Sequence, residues 1–382
     1  MDVKQIATIL NGIYTEVTGE AALFSEDLSN IVDVGGAFLD KVGTDNYVSG
    51  LINKVGRTIF VNREYTRSAP DIERDSWEYG SILEKVRCEV PEAVNNPSWQ
   101  LVAGQSVDPF VFNPPEISAK YYNSKTTFEV DISLTEMQIR ESIKSPADMA
   151  RFTAMVENRV RTMLDLSRDN LIMRTIVNLI CEKVAAENNV IDLLAMYSAA
   201  SGDNTVTAET ALTSKEFLRF AMATIALYSM FMTKPSTLYN DGGFMNFTPK
   251  EYQHLVLLAQ FENAARFNLL ADTYHDELLD IGYYETVPFW QGTGTGANAL
   301  TFATCSTINA KCASDNTKEV NRPYILGVLF DRDAAAVCND FPRVRVQPVV
   351  KQEFTNFFYK QDCSYFNDTN ENVIVFTIGD GT

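Results

Sequence analysis

The sequence predicts an α+β fold, and three stretches predict it. Residues 145–187 read as one uninterrupted helix. Residues 81–90 and 120–134 read as two β-strands joined by a proline-rich excursion. Beyond residue 189, helical and strand patterns alternate, ending in the apolar strand NVIVFTI at Asn372 to Ile378.

Residues 1–50 carry eight Asp and Glu against Lys4 and Lys41. Ile6, Ile9, Leu10, Ile13 and Tyr14 space a short amphipathic helix. Gly19, Gly35, Gly36, Gly43 and Gly50 then suggest a loosely structured arm. The helix has no evident core of its own, so it is expected to pack elsewhere, with a neighbouring subunit as one choice.

Residues 51–140 change character. Ser81 to Val90 (SILEKVRCEV) and Lys120 to Leu134 read as strands, the second alternating Tyr122, Ser124, Thr126, Phe128, Val130, Ile132 and Leu134 with polar residues. Pro91, Pro97, Pro114 and Pro115 lie between them. A lone two-stranded hairpin is marginal in water. Its exposed ladder and tip are therefore expected to lean on another chain.

The helix 145–187 has its boundaries written in the sequence. Ser145 stands at the N-cap, Pro146 at the first helical position and Asp148 three residues past the cap. Met149, Phe152, Val156, Val160, Met163, Leu164, Leu171, Ile172, Ile176, Leu179 and Ile180 recur at three- and four-residue steps. Asn188-Asn189 tolerates the left-handed backbone of a helix end. At 1.5 Å per residue the helix is roughly 60 Å long, which outspans one small core. It is expected to brace two or more packed regions.

From 189 to 342 the pattern is that of a compact α/β domain. Thr213-x-x-Glu216 and Thr248-Pro249-x-Glu251 read as capping boxes, the first opening a helix to about Met232. Leu238-Tyr239 starts a short strand. His254 to Ala259 reads as a buried strand, Phe261 to Leu279 as a helix and Tyr283 to Phe289 as a strand. Tyr324 to Phe330 reads as a central strand followed by a short helix capped by Asp331.

Composition narrows the function classes. A chain of 382 residues with 46% hydrophobic and 21% charged side chains suits a folded protein. Fifty acidic against 32 basic residues give a net charge of −18, which argues against nucleic-acid binding as the main role. Cys88, Cys181, Cys305, Cys312, Cys338 and Cys363 show no paired spacing and read as reduced thiols. The N-terminus lacks the basic and apolar segments of a signal peptide. No apolar run reaches the roughly 18 residues of a membrane span, so no membrane partner is expected.

The residues offer no catalytic constellation. His254 sits in an apolar strand and His275 on an amphipathic helix, neither with a cysteine or carboxylate at ligand spacing. Gly292, Gly294 and Gly296 lack the lysine and the following helix of a phosphate loop, and the stretch after them reads as loop then strand. Asp331, Asp333, Glu141, Asp148 and Glu157 form no local pair, and Asp276, Glu277 and Asp280 read as a solvated helix end. No catalytic, cofactor-binding or metal residue is expected, and the protein is not expected to be an enzyme.

The order of parts resembles the major capsid protein of tailed bacteriophages, the Hong Kong 97-type (HK97-like) fold. Phe112 to Arg140, running into Ser145, is similar to the extended loop and its entry to the spine helix. Asn189 to Phe220 is similar to the start of the axial domain. Gly327 to Asp333 and Phe354 to Phe376 are similar to the return into the peripheral domain. The resemblance implies an N-terminal arm over 1–50, an extended β-hairpin loop with flanking peripheral segments over 51–140, and the spine helix over 141–188. The axial domain then covers 189–342 and the peripheral strand return 343–382. It implies a self-assembling structural protein that forms hexamers and pentamers of an icosahedral shell around double-stranded DNA, without sequence-specific contact. The setting is the virion, assembled in the host bacterial cytoplasm.

Further partners follow from the resemblance: a portal protein, a possible decoration protein and a separate scaffolding protein, since about 50 residues before the excursion are too few for a built-in scaffold. Some relatives crosslink a loop lysine to an asparagine. Lys120 and Lys125 are near the region, but nothing marks an acceptor, and no crosslink is expected. Lys85, Arg87, Arg151, Arg159, Arg161 and Arg174 are expected to meet acidic surfaces of neighbouring subunits. The alternatives are an encapsulin-like compartment shell and an unrecognised cytosolic enzyme. The shell reading predicts little contact between the 81–134 excursion and its own subunit. An enzyme would fold the excursion back over a deep polar pocket.

Overall fold

The computed structural model describes residues 3–18, 24–25, 27–30, 69–74, 82–89, 114–135, 146–270, 284–291, 301–315 and 317–379, with a few single positions besides. The readings at Ser145, His275 and Gly292–Gly296 lie outside them. The chain divides into two compact units. The first holds 1–76, 125–172 and 338–364; the second holds 77–124, 173–337 and 365–382.

In the first unit, α1 (Val3–Thr18) buries Ala7, Leu10, Ile13 and Tyr14. The helix, expected to pack elsewhere with a neighbouring subunit as one choice, is covered by its own chain. Asn11 fixes the exit by a reciprocal pair of bonds with the Phe24 backbone. A four-stranded sheet follows the order β1 (Glu73–Arg74), β11 (Ala335–Val349), β12 (Phe354–Asn367), β4 (Lys125–Thr135). Along β12 alternate residues are buried, Phe357, Tyr359 and Cys363 among them. The opposite face carries cross-strand polar pairs at matched register: Lys360–Glu129 at 2.6 Å and Ser133–Asn356 at 2.6 Å. Arg168 of the long helix is nearly buried and pairs with Glu73 at 2.9 Å.

The long helix, α2, runs from Pro146 to Ala185, as the caps and periodicity require. Val160, Leu164, Leu171, Ile172, Ile176, Leu179 and Ile180 are buried. Met163 is not: it is exposed, one step off the buried stripe. Glu187 and Asn189 both take left-handed backbone where the helix stops. The boundary between the two units falls within this helix, after Ile172.

The second unit is built on a five-stranded sheet in the order β5 (Val190–Asp192), β13 (Val373–Thr377), β10 (Ile325–Asp331), β6 (Gln253–Leu258), β7 (Tyr284–Val287). The pairs β13–β10 and β10–β6 are antiparallel; β5–β13 and β6–β7 are parallel. Strand β13 is buried along its whole length, and β10 along all but Asp331, which is why both read as continuous apolar runs. Gly327 sits where β10 shifts register against β13, and a Cβ there would stand 2.7 Å from Leu257 Cδ2 and 2.8 Å from Val256 O. Only glycine lets the two backbones come this close.

Helix α3 (Leu193–Ser201) is capped by Asp192, whose carboxylate accepts from Leu194 and Ala195. Helix α4 (Lys215–Met232) buries Phe217, Leu218, Ala221, Met222 and Ile225. Helix α5 (Ala259–Leu270) follows β6, and a short α6 (Phe302–Cys305) precedes the two-stranded ribbon of β8 (Ile308–Lys311) and β9 (Glu319–Arg322).

Several local readings need correction. Ser214, not Thr213, caps α4 by accepting from Phe217. Thr248 caps nothing; its hydroxyl donates to half-buried Asp331 at 2.6 Å. Leu238-Tyr239 starts no strand, and only a single bridge joins Ser236 to Asn246. Asp331 caps no helix. Its side chain takes the Asp333 amide in a tight turn that leads straight into β11. Of the stretch 297–302 read as loop then strand, 297–300 lies outside the described residues, and Phe302 opens a helical turn, Phe302–Cys305, capped by Thr301.

Candidate functional site: the anchored ribbon

The two strands read from 81–90 and 120–134 form a different object from the one expected. Strand β2 (Leu83–Cys88) pairs antiparallel with β3 (Ile117–Tyr122), from Leu83 opposite Tyr122 to Cys88 opposite Ile117. The alternating run then breaks at Asn123-Ser124. Beyond it, β4 pairs over eleven positions with β12 in the four-stranded sheet. One apparent strand is thus two, with different partners. The sequence hides this because alternation continues through the break.

The β2–β3 ribbon has two unlike faces. On one face stand Leu83, Lys85 and Arg87, with Tyr122, Lys120 and Ser118 opposite them. Leu83 packs on the small cluster of Tyr122, Ala336 and Phe366. The charged residues reach the turn at Asp368 to Glu371. Lys85 Nζ lies 2.7 Å from Asp368 Oδ2, 2.9 Å from Glu371 Oε1 and 3.0 Å from the Asp333 carbonyl. Arg87 donates to Glu371 Oε1 at 2.5 Å and to Asn246 Oδ1 at 2.9 Å, with its guanidinium 4.9 Å from the Phe244 ring centre. Lys120 Nζ lies 3.1 Å from Asp368 Oδ1.

This arrangement fixes the charges. Burial pushes the Asp368 carboxyl up, but the hydrogen bond and charge of Lys85 and the charge of Lys120 outweigh it and hold it at about 2. Burial, then the charge of Asp368, raises the Tyr122 phenol. An ionised, doubly paired carboxylate is neither a general acid nor an electrophile, and Lys85 shared between two carboxylates is not a nucleophile. An open cleft of about 400 Å³ lies here, lined by Lys85, Arg87, Lys120, Phe244, Asp368 and Glu371 among others. Its three cations share two carboxylates, so it acts as a latch holding the ribbon.

The other face of the ribbon holds Glu84, Val86 and Cys88 against Tyr121, Ala119 and Ile117. Val86 is 64% exposed, Ile117 65% and Tyr121 63%, and Ile82 beside them is 55% exposed. In a self-sufficient domain the apolar face of a ribbon turns inward. Here the charged face is bound and the apolar face is bare.

Of the expected inter-subunit residues, Lys85 and Arg87 are therefore engaged within the chain. Arg159 and Arg174 are exposed on α2. The side chains of Arg151 and Arg161 lie outside the described residues. The expectation that the 81–134 excursion makes little contact with its own chain is overturned: the latch binds the ribbon and β12 binds β4. Asp368, Glu371, Asn246 and Tyr122 were not read as site residues. The Asp-Thr-Asn-Glu run between two strands marks a turn, but nothing local ties it to a ribbon 283 residues away. His254 stacks on Phe330, with ring centres 5.6 Å apart.

A long helix, a four-stranded sheet, a mixed five-stranded sheet and a two-stranded ribbon make up an HK97-like fold. Two solved phage structures share the fold. A chain of the Staphylococcus phage Andhra capsid matches at 9% identity and a TM-score of 0.54, covering 81% of this chain and 83% of that one. A chain of the native bacteriophage P68 head-fibre and inner-core structure matches at 9% identity and a TM-score of 0.52, with the same coverage. No curated protein matches the chain. The chain belongs to the Phi29-like phage major capsid protein family, whose model matches residues 6–377. Its role is structural, in a phage capsid, and the compartment-shell and enzyme alternatives are not favoured.

Proposed function

We propose that the chain associates as hexamers and pentamers into a closed icosahedral shell that holds double-stranded DNA, with the outward face of the β2–β3 ribbon lying on a neighbouring copy. The observation that carries this reading is the ribbon's orientation. A latch of ion pairs holds the polar face to the chain, and Val86, Ile117 and Tyr121 face outward, where burial is worth about 25 cal/mol per Å² of apolar surface. Symmetric repetition multiplies such modest contacts. The protein is not an enzyme in this reading, assembles in the host cytoplasm with a separate scaffolding protein and a portal, and takes up a decoration protein where one is present. Residues 1–50 serve as the arm, 51–140 as the loop region, 141–188 as the spine, 189–342 as the axial domain and 343–382 as the peripheral return, with β13 given over to the five-stranded sheet.

The exposed Arg159 and Arg174, with Arg151 and Arg161, are proposed to face acidic surfaces of adjacent copies. Charge reversal at Arg159 or Arg174 that leaves shell yield unchanged removes that residue from the interface. The ribbon is tested by negative-stain electron microscopy of purified wild type and of the Val86→Asp, Ile117→Asp pair, each made with and without a co-expressed scaffolding protein. Wild type forms shells, tubes or rosettes; the pair keeps its circular dichroism and melting point and forms none. Shells from the folded double variant would take the ribbon out of the contact. Uniform 43 kDa particles from wild type in every condition would sink the assembly reading itself.

A further inference from the structure

Cys181 and Cys312 are far apart in sequence and in contact in the fold. Cys181 lies in the last turns of α2 and Cys312 just beyond β8, with their sulfur atoms 3.5 Å apart. Both are buried, in a cluster with Val320 and against Val184, Ala185 and Ala310. The β8–β9 ribbon belongs to neither large sheet. Around this point its tie to α2 is made by side chains: the thiol pair, and Glu182, which accepts from the Ser314 amide at 2.7 Å and from its hydroxyl.

We infer that Cys181 and Cys312 are a disulfide-forming pair that locks the β8–β9 ribbon to the end of α2 when the protein meets a disulfide oxidant. The sulfurs already touch, so in the closed fold a bond needs only a short approach of one sulfur to the other. With oxidised glutathione as oxidant, one cysteine thiolate attacks a glutathione sulfur and forms a mixed disulfide, releasing one glutathione thiolate. The second cysteine thiolate then attacks the protein sulfur of that mixed disulfide and releases the other glutathione. The two cysteine protons end on the two glutathione thiols, and the protein loses two hydrogens. Burial first, and then the contact with Cys312, push the Cys181 thiol up to about 12, so the closed pair reacts slowly and the step proceeds through opening of the ribbon. In a reducing cytoplasm the pair stays as thiols; outside it the pair closes.

Exposed Cys88 supplies the internal control. Purified protein or particles are incubated with oxidised glutathione, alkylated in denaturant without reductant, digested and mapped by mass spectrometry. The expected result is a linked Cys181–Cys312 peptide two hydrogens lighter than its parts, absent from Cys181→Ser, together with a reductant-sensitive rise in melting temperature in wild type alone. Cys312→Ser must give the same loss, which separates a lost bond from a misfolded variant. Alkylation of both Cys181 and Cys312 in a sample whose Cys88 carries glutathione overturns the inference. The outcome is independent of shell formation, because it is read on unassembled protein as well.

Discussion

Asp368 concentrates the latch in one side chain. It is 4% exposed, takes Lys85 and Lys120, and titrates near 2 when folded, against about 3.9 when unfolded. A depressed carboxyl stabilises the fold above its unfolded value and loses that contribution as pH falls through the folded one. The second unit should therefore lose about 2 kcal/mol between pH 4 and 2 on this account. Urea titrations across that range should show the loss in wild type and a flatter profile in Asp368→Asn, which is already weaker at pH 7. A wild-type profile no steeper than that of the variant would mean the ion pairs contribute nothing. Replacing Lys85 by Met tests the partner: it leaves Lys120 as the cation paired with Asp368, and a cost of about 1–3 kcal/mol is expected.

At the scale of elements, the sequence was most readable where the signal was local and long. Forty residues of three- and four-step apolar spacing between Pro146 and the asparagines at 188–189 left one reading for α2. The N-cap of α4 was ambiguous by one residue, since Thr213 and Ser214 both suit the position and only geometry chooses Ser214. Ser214→Ala should cost about 1 kcal/mol and Thr213→Ala a few tenths. Equal losses from the two in chemical denaturation would contradict the assigned cap. The ribbon was half legible. Its strands were marked by alternation, but the break at Asn123-Ser124 was not, because Tyr122 and Thr126 keep the same period on either side. The latch was invisible for a different reason: its carboxylates are distant in sequence and its cations read equally well as partners for another chain.

At the scale of the molecule, the family and the architecture were legible as an order of parts, whereas each contact between distant parts was not. The charge balance makes its own prediction. At −18 per chain, copies repel, and the repulsion is screened over about 8 Å at physiological ionic strength. Light scattering should show the protein concentration needed for assembly falling as sodium chloride rises from about 0.05 to 0.5 M, where the screening length shrinks by roughly threefold. A threshold that rises with salt would mean that attractive charge pairs across copies outweigh the net repulsion. The buried latch should respond much less, since its carboxylates are 4% and 13% exposed.

The latch also gives the chain a sense of time. Lys85 is translated 283 residues before Asp368 and 286 before Glu371. At bacterial rates of about 5–20 residues per second, the ribbon spends roughly 15–60 seconds outside the ribosome with nothing to fasten it. Its sticky side is therefore put on display in a fixed pose only after the anchoring turn has been made. If the outward face is the contact proposed above, that delay should keep immature copies on a polysome from seeding on one another. Limited proteolysis of stalled nascent chains would register it, as cleavage within 83–88 and 117–122 that subsides once residue 371 and the strand after it have cleared the exit tunnel. Equal cleavage before and after that point would remove the delay.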